Sequence, residues 1–131
     1  MAKRRISAED GRAALHAVET GSTARTDVAT AVRFLLEELA ERAPGNSVEV
    51  RVPPFGATQC VPGPRHTRGT PPNVIETDPE TWLALATGTL AWAEALDAAR
   101  VIASGSRAHP DGLLPLVRRP DPQPQAETME I

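Results

Sequence analysis

The chain has 131 residues, 40% hydrophobic and 24% charged side chains, and a formal charge of −3 at pH 7. That is the length of one domain, enough to bury a core without disulfides or metals. The mild acidity and the lack of a basic stripe with aromatics exclude broad nucleic-acid binding, and no apolar run approaches the roughly 20 residues of a membrane span.

Met1 to Arg5 form a short basic tail with no hydrophobic stretch behind it, so a secretory leader is not expected. Ser7 and Asp10 have the spacing of a helix cap. They open a first helix through about Val18, with Ala14, Leu15 and Val18 on one side and Gly21 as its end. A second helix runs from Ala24 or Asp27 to Arg42. Val28, Val32, Leu35, Leu36 and Leu39 form its apolar stripe, and Glu37, Glu38 and Glu41 face solvent. Phe34 falls off that stripe and is expected against the first helix. Pro44-Gly45-Asn46 is a stop.

Residues 47–52 alternate apolar and polar, the mark of a half-buried strand. Pro53-Pro54-Phe55-Gly56 turns the chain into a second, antiparallel strand over 57–61. A loop rich in proline and glycine follows, then a third strand over 73–77. Asp78, Pro79 and Glu80 are an N-cap, a proline at the first helical position and a favourable charge for a third helix. Trp82, Leu85 and Ala86 share one of its faces, and Gly88 supplies the left-handed stop. After Thr89, the spacing of Trp92, Ala95, Leu96 and Ala99 predicts a fourth helix, followed by a short strand over 100–105. Beyond Arg118, alternating prolines predict an extended or disordered tail.

The order of helices, strands, helices and a last strand predicts a single α+β domain, a mixed or antiparallel sheet covered by helices. We divide it as a basic tail and short helix (1–21), the main domain (22–117) and a proline-rich tail (118–131).

The run from Thr77 to Gly105 resembles the C-terminal half of the sterol carrier protein 2 family. That half has an acidic N-cap after a strand, a helix ending in Thr-Gly, an amphipathic helix and a strand closed by Gly. Leu113, Leu114 and Leu116 correspond to the last packing segment. Residues 50–56 and 63–73 resemble a bacterial, stand-alone subgroup, and the likeness extends over about Ser22 to Val117. One departure is Ala99-Arg100, where the family commonly has Gly-Lys before its last strand. The resemblance implies an apolar cavity between sheet and helices that holds a fatty acyl chain, a sterol or another hydrophobic small molecule without catalysis. Its walls would include Leu35, Leu39, Trp82, Leu85, Trp92 and Leu96, with Leu113 and Leu114 closing one end. The same periodicity equally describes a filled core.

Two other groups invite a functional reading. Arg65, His66 and Arg68, with Arg51 from the first strand, offer planar donors for a ligand head group or an acidic partner segment. Cys60 with His66 has the elements of an activated thiol. But a small thiol in a strand ordinarily serves as core, and no cysteine-enzyme signature surrounds it. His16, His66 and His109 are scattered without metal-ligand spacing, so neither metal nor cofactor is expected. A single cysteine fits a reducing, cytoplasmic setting. The alternative function is an accessory or protein-interaction module with a filled core, working beside a separate enzyme.

Overall fold

The structure is a computed structural model and describes residues 5–63, 73–110 and 112–117. Helix α1 (Ala8–Glu19) starts where Ser7 Oγ accepts the Asp10 N–H at 3.0 Å. Its neighbour α2 (Arg25–Arg42) runs the length of the domain and buries Val32, Leu35, Leu36 and Leu39. Phe34 leaves this stripe to pack on α1, as its position predicts. The contact requires Gly11, because a Cβ there would lie 2.2 Å from the Phe34 ring.

Strand β1 (Val48–Val52) forms an antiparallel hairpin with β2 (Gly56–Cys60) and pairs in parallel with β3 (Asn73–Thr77). After β3 come α3 (Pro79–Thr87), the short α4 (Trp92–Asp97) and β4 (Val101–Ser104), which pairs antiparallel with β3. The sheet order is β2-β1-β3-β4, a mixed open sheet. Together with the four helices it is the α+β domain expected.

Alternation decides which side is covered. Val48, Val50, Val52 and Ile75 are buried on the inner face beneath α2 and α3. On the outer face the register aligns Ala57, Arg51, Glu76 and Ile102 in one cross-strand row. Ile102 there is 69% exposed, and Arg51 Nε donates to Glu49 Oε2 at 3.0 Å.

Helix α3 follows its sequence signals closely. Asp78 Oδ2 accepts the Thr81 N–H at 3.0 Å, and Gly88 ends the helix at φ 85°. The fourth helix does not follow its stripe. It is only six residues long, so it buries Ala95 but leaves Leu96 43% exposed. Ala99 lies beyond its end with φ 56°, in the left-handed region. The Ala99 N–H donates to Leu96 O at 3.0 Å and the Arg100 N–H to Ala95 O at 2.9 Å. These are the two bonds of a Schellman motif, built here on an alanine in the position that glycine usually holds.

Candidate functional site

An apolar pocket lies between the inner face of the sheet and the helices. Leu39 comes from α2, Trp82 and Leu85 from α3, and Trp92 from the start of α4. The sheet contributes Val48, Val50, Cys60, Ile75 and Thr77, and Val61 follows β2. His109, Pro110, Leu113 and Leu114 form the cover. The lining is apolar because every inner-face position of β1 and β3 that reaches it, except Thr77, is aliphatic. Thr77 is no exception in hydrogen bonding, since its Oγ1 donates to Arg100 O at 2.7 Å. The Trp82 indole is likewise satisfied, with Nε1 donating to Val32 O at 3.2 Å. That bond ties the α3 side chain to the backbone of α2.

As it stands the pocket is nearly shut. Its free volume is about 20 Å³, room for about one water. Sites for drug-sized ligands run from about 300 Å³ upward. The cover is tied down at both ends. The Arg107 N–H donates to Asn73 Oδ1 at 2.9 Å. Leu116 and Val117 donate their N–H groups to Ala86 O at 2.8 and 3.0 Å. Between these ties Leu113 and Leu114 are half-buried and pack against the core from outside.

The floor beside Cys60 carries a strained residue. Val61 has φ 70°, a conformation that a β-branched side chain rarely adopts. It is over-determined by its neighbours. Its N–H donates to Ala43 O at 2.6 Å, and its carbonyl accepts from Ser47 N at 3.1 Å and Ser47 Oγ at 2.8 Å. These bonds tie the end of α2, the start of β1 and the end of β2 into one corner of the pocket.

The predicted site residues divide clearly. Leu39, Trp82, Leu85, Trp92, Leu113 and Leu114 come together at the pocket. Leu35 is fully buried core and does not reach it. Leu96 is a correction, because truncation of α4 turns it to solvent. Arg51, expected as a polar contact beside residues 65–68, stands on the outer face of the sheet and pairs with Glu49. Arg65, His66 and Arg68 lie outside the described residues. Val48, Val50, Ile75, Thr77, Val61 and His109 were not foreseen as lining. The alternation of residues 47–52 already held the signal for the two valines.

Chemistry at the pocket is limited by its largely apolar lining. Burial pushes the Cys60 thiol up to about 11, so it stays protonated and a poor nucleophile at neutral pH. Among the described residues, no group of three or more His, Cys, Asp or Glu could hold a metal ion. No helix among them is long and apolar enough to cross a membrane.

A family described as a bacterial SCP ortholog matches residues 24–116, well over half of the chain. The match begins at the N-cap of α2 and ends in the pocket cover, so it takes in the whole sheet and every pocket-lining residue. No curated protein matches the sequence.

Proposed function

We propose a carrier role for this chain, which belongs to the bacterial SCP ortholog family. It binds a lipid or other hydrophobic small molecule, of fatty acyl or sterol-like character, in the pocket between sheet and helices, without catalysis of its own. The observation that carries this reading is a mostly apolar wall, drawn from three helices and three strands, closed by a separately tied segment bearing Leu113 and Leu114. Binding works by partition: each Å² of ligand surface removed from water contributes about 25 cal/mol. The present volume cannot admit an acyl chain, so the ligand takes the place of the Leu113 and Leu114 side chains as the cover moves outward. A single buried thiol fits work in the cytoplasm.

Native mass spectrometry and organic extraction of the purified protein test this directly, alongside uptake of a fluorescent fatty acid. The wild type is compared with Leu113→Ala/Leu114→Ala, which enlarges the pocket at its cover, and Val50→Phe, which fills it from the sheet. A carrier yields an apolar co-purifying molecule in the wild type, faster uptake in the cover variant and loss of both in the filled one. A clean apo mass, with no uptake even by the cover variant, overturns the proposal.

The small volume itself favours a second reading, a protein-interaction or accessory module whose core is simply filled. Under that reading all three proteins remain apo and differ only in stability.

A further inference from the structure

A second concavity, sharing no lining residue with the apolar pocket, lies where the end of α1 meets the starts of α2 and α3. It is an open groove of about 690 Å³. Its floor includes Val18, Val28 and Leu83, half-buried side chains that pack on the core from below and stay reachable from above. Its rim carries Glu19 and Glu80 beside Asp78, whose carboxylate is already engaged by Thr81, and none of its described lining residues is Lys, Arg or His. One wall is the end of α1, which precedes the segment matched to the family and packs beside α2.

We propose that this groove docks an amphipathic polypeptide segment of another protein, one whose apolar anchors are flanked by Lys or Arg. An open apolar trough between helices suits a helix lying lengthwise, with anchors at i, i+3, i+4 and i+7. The carboxylates at the rim select cationic flanks, steer their approach and repel acidic ones. An enclosed site would instead be needed to bury a small molecule from all sides.

The probe is a short acetylated, amidated peptide with Leu at i, i+3, i+4 and i+7 and Lys elsewhere, beside a twin with Glu for every Lys. Binding to the full chain is read by fluorescence anisotropy at low and high salt, and mapped by amide chemical shifts. The Lys peptide is expected to saturate, to shift the amides around Val18, Val28 and Leu83, and to bind at least about tenfold tighter than its twin at low salt. Leu83→Asp should abolish the shifts. Because that change is half-buried, Glu19→Lys/Glu80→Lys, checked for an unchanged amide spectrum away from the groove, provides a charge test: it should invert the preference between the two peptides. The proposal fails if the shifts map elsewhere, if the twins bind equally, or if the charge-reversed variant keeps its preference. It fails too if the peptide-free protein self-associates with the same amides shifted, since a second copy would then be the occupant.

Discussion

Replacing Ala99 by glycine should stabilise the protein. Ala99 is held at φ 56° by the bonds from its own N–H to Leu96 O and from the Arg100 N–H to Ala95 O. An L-residue in that conformation costs about 1–2 kcal/mol through crowding of Cβ against the carbonyl. Its methyl group is exposed and contributes no packing in return. Against the relief stands the greater freedom of glycine in the unfolded chain, about 0.5–1 kcal/mol. The midpoints of the two ranges leave a gain of about 0.75 kcal/mol, or a Tm higher by about 2–4 °C for a domain of this size. The control is Ala98→Gly at the adjacent position, where φ is −86°. Glycine relieves nothing there and should lower stability by up to about 1 kcal/mol. Scanning calorimetry on the three proteins, supported by urea midpoints, decides the matter. An Ala99→Gly protein no more stable than wild type would refute the reasoning, because the left-handed turn would then not be constraining the backbone. The turn matters to the site, since it delivers the Arg100 carbonyl that satisfies Thr77 in the pocket wall.

Trp82→Phe keeps an aromatic ring but removes the pyrrole half, so Val32 O loses its indole donor and some buried volume is emptied; a loss of at least about 1–3 kcal/mol is expected in urea unfolding, and an unchanged midpoint would show that the bond contributes nothing. Asp78→Ala removes the cap of α3 and should cost about 0.5–2 kcal/mol at neutral pH. The gap to wild type should also depend on pH. Burial works to raise the Asp78 carboxyl, but the hydrogen bonds from Thr81 and the positive charge of Arg100 outweigh it and hold it below the ordinary range. A depressed pKa contributes stability that is complete above the unfolded value of about 3.9 and is lost as pH falls through the folded one. The difference between wild type and Asp78→Ala should therefore narrow below about pH 4, and a constant or widening gap would contradict the shift. Cys60, 1% exposed with its thiol raised to about 11, should react with a thiol reagent at neutral pH only at the rate of unfolding. Prompt modification of the native protein would show that the pocket opens readily.

Most of the fold was legible because local signals agreed with one another. The Asp78-Pro79-Glu80 start and Gly88 stop fixed α3 by capping chemistry alone. The strict alternation of Val48, Val50 and Val52 assigned the buried face of β1. Phe34 could be placed against α1 because it sat off an otherwise regular stripe. The failures have physical causes as well. Leu96 was misplaced because the helical stripe from Trp92 was read through Ala99, whereas α4 stops at Asp97 in a turn that uses alanine where the signal residue would be glycine. Alternation along β1 puts Arg51 on the face opposite Val50, while the arginines and histidine expected to join it lie outside the described residues. The pocket's near closure was not legible at all, because periodicity reports which way a side chain points and not how far the opposite wall stands.

The parallel pairing of β1 with β3 has a kinetic consequence. The β1–β2 hairpin needs only its own tight turn, whereas Val48 meets Asn73, and Val50 meets Ile75, only once β3 has come alongside β1. Such non-local contacts form after local ones. The cover, tied to Asn73 at one end and to Ala86 at the other, has no seat until that wall exists. During synthesis the apolar faces of α2 and of the hairpin therefore emerge before the segment that shuts them off. A hydrophobic guest present at that moment meets an open wall, while one added afterwards meets a closed one. Protein refolded from denaturant in the presence of a fatty acid and folded protein soaked in the same compound are thus two different samples.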